Sequence, residues 1–277
     1  MAALPPYVGT LGRTWHYSFR FICGLVLFFL ITPILVIIPL SFNAEPYFTY
    51  PMPGFSMRWY QDILDNELWL LAIKNSVIIA FFATILATTL GTIAALGLSK
   101  ANLPYKGLIM GLMISPMIVP IVITAVGMYF FYAKLGLTNN LPGLIIAHAV
   151  LGTPFVVITV TATLVGFDHS LTRAAANLGA NPTGTFFKVT MPLVLPGMIS
   201  GGLFAFVTSF DEVVVVLFLG GVEERTIPRQ MYSGIREQIS PTILAVATIL
   251  VIISIGLLAS LELLRRRNER MRGIKAT

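Results

Sequence analysis

The chain reads as long apolar runs separated by short polar stretches, with few charges inside the runs. A helix crossing about 30 Å of hydrocarbon needs roughly 20 apolar residues. On that measure the pattern predicts membrane helices at about 20–42, 75–98, 107–132, 143–166, 194–219 and 241–263. An even number of crossings puts both ends of the chain on one side. The first run follows Arg13 and Arg20, as a signal-peptide core would. It is longer than such a core, and no small-x-small site follows at Ser41-Phe42-Asn43, so it reads as an uncleaved anchor. The chain thus divides into an N-terminal segment (1–19), a transmembrane domain (20–264, core about 70–262) and a basic tail (265–277).

Polar residues between the runs set the orientation. Lysine and arginine gather beside the two ends and the even loops (Arg13, Arg20, Lys100, Lys106, Arg173, Lys188, then Arg265, Arg266, Arg267, Arg270, Arg272 and Lys275). The other side carries fewer (Arg58, Lys74, Lys134, Arg225, Arg229, Arg236) and most of the acids, among them Glu45, Asp62, Asp65, Glu67, Glu223, Glu224 and Glu237. The positive-inside bias makes both termini cytoplasmic. The loop over 43–74, with Pro46, Pro51, Pro53 and Trp59, reads either as an ordered external segment that seats a partner or closes the bundle, or as a connector.

Composition agrees with the pattern. Of 277 residues, 56% are hydrophobic and 11% charged, more apolar side chain than one aqueous core can use. The solvent is lipid, and the spans leave no room for a soluble catalytic domain. The formal charge of +6 could suggest nucleic acid, but its basic residues lie in small groups beside the apolar runs rather than along a groove. The lone Cys23 allows neither a disulfide nor a thiolate metal site. His148 in the fourth run has no metal-ligand spacing around it and reads as a hydrogen-bonded packing residue, with a proton relay as the other reading.

Lipid gives helices no hydrophobic reason to associate, so close packing depends on small residues in a stripe. Ala83, Ala87, Gly91 and Ala95 form one on the second run, and Gly197 and Gly201 begin another on the fifth. Pro116, Pro120 and Pro154 predict bends, either static or part of an opening movement.

The loop from Ser170 to Pro192 is the most informative. A short alanine-rich helix starts after Asp168 or Ser170, Gly179 can take the positive φ that ends it, and Asn181-Pro182 starts a second short helix. Pro192 and Pro196 mark re-entry into the membrane. Small side chains at Ala174, Ala175 and Ala176, with Leu178, Phe186 and Phe187, make a compact cytoplasmic knob.

Asp211 and Glu212 lie inside the fifth apolar run. A carboxylate at a helix centre costs about 2.5–3.5 kcal/mol on insertion scales, so this pair is not expected to face lipid. Adjacent helical residues diverge by about 100°, so at most one points down a pathway; one reading makes Asp211 or Glu212 a counter-charge for a passing ammonium group, with Tyr129, Tyr132 and Phe210 as aromatic walls. The other makes them an inter-helix anchor or a buried protonated acid. No phosphate-binding loop with its lysine occurs, so the chain cannot cradle ATP by that means.

The loop resembles the signature of ABC importer permeases, a Glu-Ala-Ala triplet, a glycine four residues on, then an aliphatic position and a Leu-Pro pair. Here those places hold Arg173-Ala174-Ala175, Gly179, Val189 and Met191-Pro192, with arginine replacing the family glutamate. Ser209-Phe210-Asp211-Glu212, Asn75-Ser76, Arg58-Trp59-Tyr60 and Ser115-Pro116 look like the spermidine/putrescine-type subfamily, the likeness covering roughly 60–260.

The resemblance implies an all-α integral membrane protein of the type I ABC importer permease fold in a bacterial inner membrane. It also implies that Arg173, Ala174, Ala175, Asn177, Leu178, Gly179, Phe186 and Pro192 belong to a coupling loop. Such a chain binds no cofactor and catalyses nothing. ATP and magnesium bind a partner ATPase, and the assembly has a sister permease forming a heterodimer, two ATP-binding subunits and an extracytoplasmic solute-binding protein. The substrate class implied is a small cation such as putrescine or spermidine. A secondary transporter or channel needing no ATPase is the competing reading; it usually carries an inverted repeat, and none is seen between the two halves.

Overall fold

The structure, a computed structural model, describes residues 9–49, 51–99, 103–168, 170–237 and 239–271; at 237, 257, 258 and 260–271 it describes the backbone alone. Lys100, Arg272 and Lys275 of the charge pattern therefore lie outside the described residues. In chain order the helices are α1 (Thr10–Leu40), α2 (Arg58–Asp65), α3 (Glu67–Leu98), α4 (Lys106–Ile118), α5 (Ile121–Leu135), α6 (Leu141–Val165), α7 (Ser170–Asn177), α8 (Pro182–Thr185), α9 (Met191–Asp211), α10 (Val214–Leu219), α11 (Ile227–Glu237) and α12 (Thr242–Met271). A π-helical turn, Phe186–Thr190, joins α8 to α9. Among the described residues there is no strand, only an isolated bridge between Asn43 and Phe55. The fold is all-α.

Among the described residues four helices are long and apolar enough to cross a membrane, and α4 with α5 makes a fifth if the bent pair is one span. In α12 the described apolar stretch, Thr242–Gly256, is shorter. The chain forms two compact units, residues 1–65 with 234–277, and residues 66–233.

In the first unit α1 starts at Thr10 rather than near 20 and carries no buried residue along its 31 residues. An apolar helix with its whole surface open suits lipid or another chain as its surroundings. The segment after it is ordered. Asn43 is buried, the Trp59 Nε1–H donates to its carbonyl at 2.6 Å, and its own Nδ2–H donates to the Tyr47 carbonyl at 2.7 Å. The Ser41 and Tyr60 hydroxyls pair at 2.7 Å, and Arg58 lies 4.0 Å over the Trp59 ring. The Thr242 hydroxyl donates to Asp62 Oδ2 at 2.7 Å, fixing α2 to the head of α12. The Arg58-Trp59-Tyr60 triplet thus pins the turn that follows α1.

The second unit is built on α3, α6 and α9, which pack against one another. The small-residue spacing is what lets them. A Cβ added to Gly91 would lie 2.7 Å from Val156 Cβ, one on Gly152 2.8 Å from Ala205 Cβ, and one on Gly201 2.7 Å from Val156 Cα. Ala83, Ala87 and Ala95 are buried on the same stripe. Backbones this close gain dispersion contacts that lipid tails cannot match. Thr84, Thr153, Thr159 and Thr163 donate their hydroxyls to carbonyls four residues back, which hides polar groups inside the bundle.

Two expected spans are broken. The run over 107–132 is not one rod, because α4 and α5 meet at 104°. Pro120 excludes the helical conformation at the residue before it, and Val119 sits at ψ 133. The run over 194–219 is interrupted where Glu212 leaves the helix with φ −74 and ψ 122, so α10 is a separate piece. It packs on α5, placing Val215, Val216 and Leu219 in one cluster with Ala125, Tyr132 and Leu144.

Candidate functional site

The loop between α6 and α9 is set by three local devices. Asp168 Oδ1 accepts the Ser170 N–H at 2.8 Å and Oδ2 accepts the Ser170 hydroxyl at 2.7 Å, which starts α7. Gly179 stops it at φ 80. There the Gly179 N–H donates to the Ala176 carbonyl and the Ala180 N–H to the Ala175 carbonyl, a Schellman turn that only a residue tolerant of positive φ closes without strain. Asn181 then caps α8, its Oδ1 accepting the Gly184 N–H at 2.7 Å, with Pro182 in the first turn.

The second short helix is not a separate piece. From α8 the chain passes through the π-turn into α9 without leaving helical geometry. Pro192 accounts for the wide turn. It has no N–H, and its ring would strike the carbonyl four residues back in a regular helix; instead the Met191 N–H reaches back five residues to Phe186. The expected membrane re-entry at Pro192 is a helix continuous from Pro182 to Asp211. The short helix α8 is therefore the first turn of the helix that ends at Asp211.

Arg173, Ala174, Asn177, Pro192 and Phe187 are exposed, and Leu178 is 89% exposed at the end of α7. Ala175 and Phe186 are half-buried, and the Phe186 and Phe187 rings meet edge to face at 5.0 Å. Ala176, Ala180, Pro182 and Phe186 line a shallow apolar groove of about 440 Å³ that reaches Leu96 on α3. The loop thus presents exposed apolar side chains beside an apolar groove.

The two acids of the fifth apolar run sit at the break rather than within a continuous helix. Asp211 ends α9 and is exposed. Glu212 is half-buried, and its Oε1 accepts the Val215 N–H at 2.9 Å at the head of α10. Because Glu212 is not helical, the two side chains are not related by the helical turn. Phe210 stacks on Phe206 at 5.6 Å, and Tyr129 is 41% exposed. Tyr132, expected as a pathway wall, is 5% exposed and belongs to the α5–α6–α10 cluster. In this conformation it supports α10 instead of facing an opening.

His148 is buried and hydrogen-bonded on one ring nitrogen. Its Nδ1 lies 2.8 Å from Ser209 Oγ and 3.1 Å from the Ser209 carbonyl. Asn75, whose neighbour is Ser76, was visible in the sequence without a role. Its Nδ2 donates to the Glu223 and Arg225 carbonyls at 2.7 and 3.0 Å, while Ser76 Oγ accepts the Ile227 N–H at 2.8 Å. The partners lie about 150 residues away in sequence, so no local signal could supply them. Arg229 donates to the Gly221 carbonyl, and burial with Arg225 nearby pulls its pKa below the ordinary arginine value, Glu224 opposing.

Residues 87–270 match the family described as binding-protein-dependent transport system inner membrane component. The chain is 32% identical over 241 residues to the spermidine/putrescine transport system permease protein PotC of Haemophilus influenzae, covering 87% of this chain and 93% of that one. It is 32% identical over 257 residues to the putrescine transport system permease protein PotI of Escherichia coli, covering 89% and 91%. In fold it is similar to a bacterial ABC transporter that imports alginate, with TM-score 0.72, 18% identity, and coverage of 95% of this chain and 99% of that one. The chain belongs to the family of binding-protein-dependent inner membrane transport components, and is a permease subunit of an ABC importer rather than an enzyme.

Proposed function

We propose that this permease forms half of the membrane pathway for a small cationic solute of the polyamine class, and that residues 170–192 couple it to a separate ATPase. Six crossings with both termini in the cytoplasm fit the charge pattern, so the loop lies on the ATPase side. The observation that carries the reading is the unbroken helix from Pro182 through the π-turn to Asp211. One rod joins the exposed knob to the acids at the break. Motion imposed on the knob by ATP-driven closure of a partner is thereby transmitted to the charged point of the span.

Asp211 and Glu212 suit a cationic solute. An ammonium group loses hydration on entering the bundle, and carboxylates next to the Phe210 ring offset that loss, with the exposed ring of Tyr129 on α5 as a further aromatic wall in this reading. The full assembly in this reading holds a sister permease as the other half of a heterodimer, two ATP-binding subunits carrying ATP and magnesium, and an external solute-binding protein. Polyamine as the substrate class follows from the names of the PotC and PotI relatives and from the two acids.

The test is ATP hydrolysis by the reconstituted complex. Binding protein loaded with putrescine or spermidine should raise hydrolysis and drive uptake, while the empty protein should do neither. Hydrolysis indifferent to loaded binding protein, or uptake without any ATPase, contradicts the proposal.

A further inference from the structure

An unbroken helix would bring the Val213 N–H to the Ser209 carbonyl. At the break Val213 has turned away, at φ −113 with Glu212 extended before it, and no such bond forms. Ser209 is nevertheless 5% exposed, too deep for water from the surface to replace the lost donor. His148, on α6 and 1% exposed, supplies it across the helix interface. A carbonyl oxygen only accepts, and the Ser209 hydroxyl, 2.8 Å from Nδ1, can accept as well, so a ring hydrogen on Nδ1 serves both contacts and leaves Nε2 as an acceptor. That Nε2 is buried without a partner among the described residues. A buried imidazole with one nitrogen unsatisfied is a poor packing residue, since leucine would fill the space with no polar group to desolvate. Its value lies in the bond that Nδ1 makes.

We propose that His148 is a positioning residue of the transport pathway. Its Nδ1–H takes the place of the missing backbone donor at Ser209, and so holds the α9–α10 break open with Asp211 and Glu212 presented at it. The role is indirect: His148 does not touch solute. It rests on the reading of the acids as pathway groups, and the two can be tested separately.

Asparagine can place an N–H where Nδ1 stands, whereas glutamine places its amide where Nε2 stands. In the reconstituted complex His148→Asn should retain solute taken up per ATP hydrolysed. His148→Gln and His148→Leu should lower that ratio by about tenfold or more, because a desolvated acceptor is left unpaired and the break relaxes. A merely structural histidine would lower uptake and hydrolysis together, leaving the ratio unchanged. Amide hydrogen exchange over 208–216 gives a second readout that needs no transport. It should quicken in His148→Gln and stay as in the parent in His148→Asn.

Equal ratios in all three variants overturn the proposal, as does a glutamine variant that works where asparagine fails. Should Gln and Leu prevent assembly while Asn assembles and keeps the ratio, the Nδ1 bond is supported; if Asn too prevents assembly, the bond alone is not what His148 supplies and the proposal falls. Amide variants Asp211→Asn and Glu212→Gln that leave uptake of the cation intact would remove the pathway reading, while the exchange result would still decide whether His148 holds the break.

Discussion

Gly91 on α3 meets Val156 on α6 so closely that an added Cβ would stand 2.7 Å from Val156 Cβ and 2.8 Å from Cγ1. Both neighbours are backbone-near atoms that cannot swing aside. Gly91→Ala should therefore lower the stability of the purified permease by about 1–3 kcal/mol, the usual range for overpacking. Thermal unfolding in detergent checks this. Gly97 on the same helix has nothing near its added Cβ, and Gly97→Ala should be neutral or slightly stabilising.

Gly179 offers a contrasting kind of sensitivity. An added Cβ there meets nothing within 4 Å, so the cost comes only from φ 80. Gly179→Ala should cost about 1–2 kcal/mol locally and Gly179→Asn less. Protein yield should hardly change, while copurification with the ATPase drops for alanine and recovers in part for asparagine. Equal copurification for both would separate docking from the shape of this turn.

Asn75 carries two carbonyls of the turn between α10 and α11 on one amide. Asn75→Ala leaves both without their donor and should destabilise by about 1–3 kcal/mol; Asn75→Asp should be as harmful, because a carboxylate facing two carbonyls repels them. Limited proteolysis between 220 and 230 reads the result directly, with faster cleavage expected in both variants.

Glu212 permits its charge and its hydrogen bond to be separated. Glu212→Gln keeps a carbonyl oxygen for the Val215 N–H, and Glu212→Ala keeps neither bond nor charge. If the charge serves the solute, Gln and Ala should both cut polyamine uptake by about tenfold or more, the scale of a lost buried charge partner. Only Ala should also loosen α10, by about 0.5–2 kcal/mol. Uptake that survives Gln and fails in Ala would make Glu212 a helix cap and nothing more.

The parts of this fold legible in the sequence are those fixed by local chemistry. The ends of α7 follow from Asp168 and Gly179, and the start of α8 from Asn181-Pro182. Small residues at four-residue spacing marked the buried stripe of α3 because lipid packing rewards little else. Breaks were less legible. Pro120 announced a bend, though not its 104° extent, and no proline or glycine stands at Glu212 to signal the end of α9. That break depends on His148, 61 residues before the Ser209 it bonds, and on α10 packing against α5, neither of which periodicity records. Tyr132 was misplaced for a related reason. Its residue type fits a cation pathway as well as Tyr129 does, but Tyr132 is buried in the cluster with α10 while Tyr129 is exposed.

Coupling through the knob is the central claim, and Leu178 is its most exposed apolar residue. With the native Cys23 replaced by serine, Leu178→Cys should cross-link to the ATP-binding subunit in membranes, and the yield should change when ATP is added. An impermeant maleimide applied outside intact cells should leave it unlabelled. Labelling from outside, or no adduct with any ATP-hydrolysing partner in a complex that still transports, would contradict it.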